Sequence, residues 1–457
     1  MDNVLEINNL DFIAPDVASA VKSTKRTKTF AYPTQYLNCR GNEKIEFLFN
    51  TGTYIDPAKS SLTLRLRVNA PVPQTSNDLI SFQFDDNAYP NSGATILNLI
   101  SEISHESKDG SLMYKQNYVN IMQTTREYII SNEYKNNVMT LIGGITQDDI
   151  VYGYETYSIN TDVNFNIPLT LLSDFFNTRS MMHPTLLSGS KLTLILAPNP
   201  RLNIVGFNSL SVPGVFPEGT TIDITNLSLN LQQCELYDGI QAVIKSSLLN
   251  SIKYPFYNVY NSKYEPTSTS FTFNVQFAAS VITYVAVKFF PKIPTESPIA
   301  SPPISALSPT LRNYDDNSLG FSIRARLNGK AYPTYNITTA TQAYLSTIQA
   351  LNPISHSDTQ DIDPLRNINH LGSGCVPYSN YCFRTSTITG NSRGGFIVAF
   401  SLEKNRDIGL SGEATTASKT VSIEVEDFTH YDQFDMYVQL QYLSVASIHE
   451  NNVIISK

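Results

Sequence analysis

Strict two-residue alternation, returning again and again along the chain, limits the fold more than any other feature of this sequence. In SLTLRLRVN (61–69), Leu62, Leu64, Leu66 and Val68 alternate with Thr63, Arg65 and Arg67. A period of two places the apolar set on one face of an extended strand and the polar set on the other. KLTLILA (191–197), TTIDITNLSLNLQQCELYD, FSIRARLNGKAYP, KTVSIEVEDF and DMYVQLQYLSV repeat the pattern. Many short strands separated by Pro, Gly and Asn turns predict sandwiches rather than a helical or α/β fold.

Composition agrees. Tyr (26) and Phe (23) are abundant, Trp is absent and only 16% of residues are charged, so the polar surface rests on Asn, Ser, Thr and Gln more than on ion pairs. The 457 residues suffice for two or three domains, and the net charge of −8 argues against a basic groove for nucleic acid. One basic run, Lys22, Lys25, Arg26 and Lys28, precedes the first clear strand. It is expected in a solvated, flexible N-terminal arm over residues 1–40, with weak contact to membrane or genome as its functional reading.

The first expected strands are KIEFLFN (44–50) and SLTLRLRVN, joined by the turn residues of TGTYIDPAKS. A strand through ATILNLISEISHES ends at Asp109-Gly110, and the spacing of Tyr118, Ile121, Met122, Thr125 and Ile129 predicts a helix over 115–135. TDVNFNIPLT is a strand, LLSDFF a short apolar turn, and the phase slip near Asn226 predicts a bulge or break. The pattern weakens at 237–253. SFTFNVQF (270–277) and SVITYVAVKFF (280–290) read as a hairpin or a continuous bent pair. The six prolines between Pro291 and Pro309 predict an exposed loop, TATQAYLSTIQAL a short helix, and GGFIVAFSLE, KTVSIEVEDF and DMYVQLQYLSV the closing strands. The chain thus divides near residue 240 into two all-β halves of similar size, 41–240 and 241–457, each interrupted by one helix. Eight strands with Greek-key connections form a jelly roll, and two such rolls fit the length.

Nothing in the sequence argues for catalysis. The six histidines (His105, His183, His356, His370, His430, His449) lie far apart, and no phosphate-binding loop or nucleophile elbow is present. Asp358, Asp361 and Asp363 lack the glycine and terminal glutamate of a calcium loop, and Asp85 and Asp86 are adjacent, so they point to opposite faces of a strand. No catalytic, cofactor-binding or metal-binding residue is assigned and no cofactor is expected. Cys39, Cys234, Cys375 and Cys382 lack the paired spacing of zinc sites and are expected as reduced thiols. No apolar leader core or membrane-spanning run is visible, so the sequons at Asn226 and Asn336 read as incidental.

The order of segments resembles the double jelly-roll major capsid proteins of virophages and Polinton-like viruses. The matching stretches are KIEFLFNTGTYIDPAKSSLTLRLRV, GSLMYKQNYVNIMQTTREYI and NIPLTLLSDFFNTRSMMHPTLLSGSKLTLILAP. They continue with the junction TNLSLNLQQCELYDGIQAVIKSSLLNSIKYPFYNVY, then SFTFNVQFAASVITYVAVKFF, IRARLNGKAYPTYNITTATQAY and EKNRDIGLSG. The resemblance implies a non-enzymatic structural protein of an icosahedral DNA-virus virion, with homotrimeric capsomers whose six sandwiches form a pseudo-hexagonal tile. It further implies assembly in host cytoplasm or nucleus and contacts with neighbouring capsomers, penton and minor capsid proteins, with no small-molecule substrate. Two alternatives stay open: another jelly-roll virion protein, such as a penton or spike, and a carbohydrate-binding β-sandwich. A single roll needs about half this length, and the absence of Trp weakens the second.

Overall fold

The computed structural model describes residues 21–69, 79–81, 95–122, 157–158, 160–177, 181–198, 205–207, 213–214, 221–247, 252–279, 281–291, 318–351, 397–402, 420–429, 431–432, 434–449 and 452–456. In chain order its strands are β1 (Val21–Phe30), β2 (Lys44–Leu48), β3 (Tyr54–Asn69), β4 (Leu79–Ser81), β5 (Ile100–Glu106), β6 (Leu112–Asn117), β7 (Tyr157–Ser158) and β8 (Val163–Pro168). Next come β9 (Lys191–Leu196), β10 (Val205–Phe207), β11 (Pro213–Gly214), β12 (Thr221–Leu236), β13 (Ile252–Tyr264), β14 (Phe271–Val275) and β15 (Ile282–Pro291). The last are β16 (Ser318–Leu327), β17 (Lys330–Thr339), β18 (Ile397–Ser401), β19 (Val421–Glu426), β20 (Phe434–His449) and β21 (Asn452–Ser456). The α-helices are α1 (Val119–Met122), α2 (Leu169–Leu172), α3 (Pro184–Leu187), α4 (Asp238–Ser247) and α5 (Ala340–Leu351).

Two sheets of the first half run β1-β12-β3-β8 and β2-β9-β5-β6, and two of the second half run β13-β20-β15-β18 and β14-β19-β16-β17. Counting only these strands in chain order, each half shows first-eighth-third-sixth in one sheet and second-seventh-fourth-fifth in the other. That interleaving is the jelly roll, and the chain contains it twice. The short strands β4, β7, β10 and β11 form a small extra sheet, order β11-β10-β4-β7, inserted between main strands of the first roll. Inside each roll the inward residues pack as the alternation requires: Leu62, Leu64, Leu66, Leu192, Leu194 and Leu229 in the first, and Val285, Val287, Ile423, Val425, Val438 and Leu440 in the second.

Several expectations are corrected. The basic run does not lie on a flexible arm. It is β1, paired antiparallel with β12 from Val21 opposite Leu236 to Phe30 opposite Ser228, so the first roll begins inside the stretch expected to be arm. Its inward side chains are mainly Thr, which hid the strand from a search for apolar alternation. TGTYIDPAKS is both turn and strand: Tyr54 and Ile55 pair with Cys234 and Gln233, and a bulge sits between Asp56 and Ser61. There Asp56 Oδ1 accepts from the Ala58 N–H and Ser60 Oγ donates to the Asp56 carbonyl.

ATILNL opens as a 3-10 turn (Ile96–Leu99) capped by the Thr95 side chain, and the strand starts only at Ile100. The helix expected from 115 begins at Val119, because Leu112–Asn117 is β6 and Tyr118 turns to a φ of 54°; residues 123–135 lie outside the described residues. β14 and β15 are not a hairpin. β14 pairs with β19 and β15 with β20 and β18, so the connection crosses from one sheet to the other. The slip at Asn226 is a bulge, with Asn226 at φ 55° and the register shifting between Thr225 and Ser228. The proline-rich stretch beyond Pro291 lies outside the described residues. The elements α3, α4, β13 and β21 and the short strands β4, β7, β10 and β11 had no sequence expectation.

Candidate functional site

Among the described residues, the seam between the two rolls is an extensively built surface. β6 is an edge strand, and an unpaired edge leaves N–H and C=O groups open to any passing strand. Here side chains of the second roll occupy it. Asn258 Nδ2 on β13 donates to the Met113 carbonyl at 3.0 Å, and Asn261 Nδ2 donates to the Asn117 carbonyl. One step further along the chain, the buried Lys288 on β15 donates from Nζ to the Ile121 carbonyl at 2.8 Å, with its ammonium 5.5 Å from the Phe290 ring centre. Three amine or amide donors from one roll thus satisfy three backbone acceptors of the other, in a setting where an unmet carbonyl is costly.

Apolar contacts flank these bonds. Ile121 and Met122 of α1 cluster with Phe290 and Tyr437, and the Tyr118 ring meets Tyr437 edge-on at 5.2 Å. Burial drives the Tyr437 hydroxyl pKa upward. On the other side of the seam Phe256 meets Phe175 edge-on at 5.1 Å, and Ile252, Tyr254, Phe256, Val259, Ala446 and Ile448 of the second roll are continuous with the core of the first. The seam is therefore a buried, closely packed surface of the kind found in permanent interfaces. The opposite margin of the same sheet is covered by α5, with Leu351 against Tyr284, Ala286, Ile397 and Ala399.

The outward faces of the remaining sheets carry cross-strand ion pairs. Lys44, Glu46, Lys191 and Glu106 form a chain across β2, β9 and β5, at 2.7, 3.4 and 3.1 Å, and Lys115 meets Glu102 at 3.1 Å. In the second roll Glu424 lies between Arg324 and Arg326, which hold its carboxyl below the usual range against the opposing effect of burial. On the first roll, Arg65 and Arg67 both reach Asp162. The more exposed of these pairs contribute little stability each.

A cleft of about 320 Å³ opens between β3, α3 and α4, lined by Tyr54, His183, Cys234, Glu235, Gln241 and Lys245 among others. Its groups are ill suited to acid–base or nucleophilic work. Burial lowers the His183 pKa to about 4, its Nδ1 accepts from the Thr185 N–H at 3.1 Å, and burial raises the Cys234 thiol. His105 is enclosed by Phe49, Phe175 and Phe176, far from any opening. Among the described residues no group of three His, Cys, Asp or Glu side chains is placed to hold a metal, no helix is long and apolar enough to cross a membrane, and Cys39 and Cys234 are free thiols. His356, His370, His430, Cys375, Cys382, Asp85, Asp86, Asp358, Asp361 and Asp363 lie outside the described residues, and of His449 only the backbone is described. The seam residues Asn258, Asn261 and Lys288 were not foreseen, since a lone polar residue in an apolar strand has no distinctive spacing.

Comparison with solved structures bears on this arrangement. The chain superposes on the PBCV-1 virus capsid with a TM-score of 0.54 at 11% identity, covering 97% of this chain and 99% of that one. The chain has the double jelly-roll fold. The Sputnik virophage structure gives a TM-score of 0.53 at 11% identity, over 96% of this chain and 89% of that one. The Faustovirus major capsid protein gives 0.53 at 9% identity, over 94% and 91%. The alignments span nearly the whole of this chain, so both rolls and the seam between them fall inside them. No family model matches the chain, and neither does any curated relative.

Proposed function

We propose that this double jelly-roll chain is the major capsid protein of a DNA virus, a structural subunit without catalytic activity. One observation carries the reading: two rolls of identical strand order are fused side by side through a packed, hydrogen-bonded seam. Such a pair supplies two of the six wall segments of a hexagonal tile, and three copies complete it. The tile fills a flat facet of an icosahedral shell, so the protein's place is the virion. Its partners are further copies of itself, with penton and minor capsid proteins at the edges of the array. We divide the chain at α4, with the first roll from β1 to β12 and the second from β13 onward. The basic run is committed to β1, which favours protein contact over a free tail reaching membrane or genome. The likeness to capsid structures over the whole chain supports the reading and disfavours a single-roll penton or spike.

The test is the solution mass of the purified chain by light scattering, followed by negative-stain imaging. A stable particle of three times 50.9 kDa with a hexagonal outline is expected. A monomer at all concentrations, forming no such particles, refutes the proposal.

A further inference from the structure

The cleft between β3, α3 and α4 lies where the chain enters the first roll. Val21, the first residue of β1, pairs with Leu236, whose carbonyl accepts from Gln241 Nε2 at 2.8 Å. Gln241 and Glu235 both line the cleft, so β1 begins at its margin. The wall is apolar where Tyr54 of β3, Pro184 of α3 and Ile244 of α4 meet. Two polar groups beside that wall are unmatched among the described residues. Thr53 Oγ1 is shut off from solvent without a hydrogen-bond partner, a state that buried hydroxyls seldom keep. Lys245, in the last turn of α4, has no ion-pair partner. Glu235 by contrast is matched, with Lys22 at 3.7 Å and Ser23 Oγ donating to it at 2.8 Å. Burial lowers the His183 pKa to about 4, so that ring is neutral near pH 7. The cleft thus offers an apolar wall, a hydroxyl and one uncompensated positive charge.

The residues that precede β1, MDNVLEINNLDFIAPDVASA (1–20), have the complementary chemistry. They hold Asp2, Glu6, Asp11 and Asp16 with no Lys or Arg, and Val4, Leu5, Ile7, Leu10, Phe12 and Ile13 are interleaved with the acids. The eight residues from Ile13 to Ala20 span at most about 28 Å when extended, well beyond the width of a cleft of about 320 Å³. We infer that the cleft is the docking site of residues 2–20 of the same chain. Leu10, Phe12 and Ile13 supply side chains for the apolar wall, and a carboxylate of Asp11 or Asp16 meets Lys245. The occupant follows from tether and charge. A segment joined to β1 at the margin of the cleft has an effective concentration on the order of millimolar there, which an untethered acidic peptide has to outcompete. Docked in this way, the segment braces α4, the connection between the two rolls. The docking is a property of one chain and does not depend on how many copies assemble.

The experiment uses the full-length chain. A water-soluble carbodiimide, which joins an amine to a carboxylate only where they touch, is applied before separation on a denaturing gel and peptide mass spectrometry. A link from Lys245 to Asp11 or Asp16, recovered from the band of a single 50.9 kDa chain, is expected. In parallel, the acetylation rate of Lys245 is followed in the wild type, in Phe12→Asp and in a chain lacking residues 2–19, with Lys28 as internal reference. Lys245 should react about 10-fold faster in both variants, as for a millimolar effective concentration against an intrinsic Kd of about 0.1 mM. A synthetic peptide of residues 1–20 added at millimolar concentration should slow it again in the shortened chain. Phe12→Asp and the cross-link decide the matter should the shortened chain fold poorly. Equal Lys245 rates in all forms overturn the docking. A link recovered only from a band of twice the mass gives the segment to another copy and overturns it as well, and no link at all overturns the pairing with Lys245.

Discussion

Replacing His105 by Gln should flatten the acid sensitivity of the protein by an amount that follows from the burial of the ring. His105 Nε2 lies 2.8 Å from Ser190 Oγ, which itself donates to the Leu187 carbonyl at 2.6 Å. The serine hydrogen is thus used, Nε2 carries the ring proton, and Nδ1 has no partner among the described residues. Protonating Nδ1 would place a cation among Phe49, Phe175 and Phe176, and burial accordingly lowers the pKa from 6.5 to about 3. The native pKa lies below the unfolded one, so the unfolded chain binds the extra proton first. Stability is then unaffected above about pH 6.5, is lost as pH falls from 6.5 toward 3, and levels off below. At pH 4.5, two units under the unfolded value and about 1.4 kcal/mol per unit, the loss from this ring is about 2.7 kcal/mol. Gln keeps a donor for Ser190 and has no such titration. Guanidinium unfolding followed by circular dichroism, a suitable probe in a chain without Trp, should be run on both proteins at pH 8, 6 and 4.5. Carboxylate titrations are common to both and cancel in the difference. The stability gap between them should shift in favour of the variant by about 2–3 kcal/mol between pH 8 and 4.5. A gap constant within about 0.5 kcal/mol would refute the assignment of a neutral, unprotonated Nδ1.

Other perturbations have equally definite outcomes. Asn258→Leu strips the Met113 carbonyl of its donor and should cost about 1–3 kcal/mol, with faster amide hydrogen exchange localised to β6. Phe256→Ala removes a ring packed on Phe175 and should cost about 3–5 kcal/mol in the same unfolding assay. Gly41→Ala would place a methyl group 1.6 Å from the Pro198 carbonyl oxygen, so soluble yield and thermal midpoint should both collapse. Burial raises the Cys39 thiol to about 12 and raises Cys234 as well; both should label slowly with a thiol reagent at pH 8 in the native state and quickly in denaturant.

What the sequence revealed and what it concealed have separable physical causes. Strands with one wet face were readable, because Leu62–Val68 and Ile222–Leu231 display the alternation directly, down to the bulge at Asn226. β1 was concealed because its inward positions are Thr27 and Thr29, and β13 because Tyr, Phe and Asn mix along it while it serves two cores at once. The crossing from β14 to β15 was misjudged because a short linker joins strands of one hairpin or of two facing sheets equally well. α4 was missed because its apolar stripe is only Ile240 and Ile244, with Val243 exposed. Of the seam, Tyr118, Ile121 and Met122 stood out in advance as a helical stripe whose partner lies more than 160 residues away in the sequence, and LLSDFF as an apolar turn, but neither reading named the partner across the seam.

The two rolls share one strand order, yet the third strand of each has opposite needs, and the sequence records the difference. In β3, Thr63, Arg65 and Arg67 face outward and meet Asn166 and Asn164 of β8 and Asp162 just before it, so alternation is kept and the outer face stays polar. In β15, ITYVAVKFF is buried from end to end. One face packs into its own roll through Val285, Val287 and Phe289, while Tyr284 and Ala286 lie beneath α5 and Lys288 and Phe290 lie against α1 of the first roll. An antiparallel strand covered on both faces has no need to alternate, and it reads as a continuous apolar run. Lys288 is the exception that such a run tolerates only when its charge has a fixed acceptor, which the Ile121 carbonyl provides. The run ITYVAVKFF is thus a sequence mark of a strand covered on both faces within its own chain, and the alternating SLTLRLRVN marks a strand whose outer face is left to solvent.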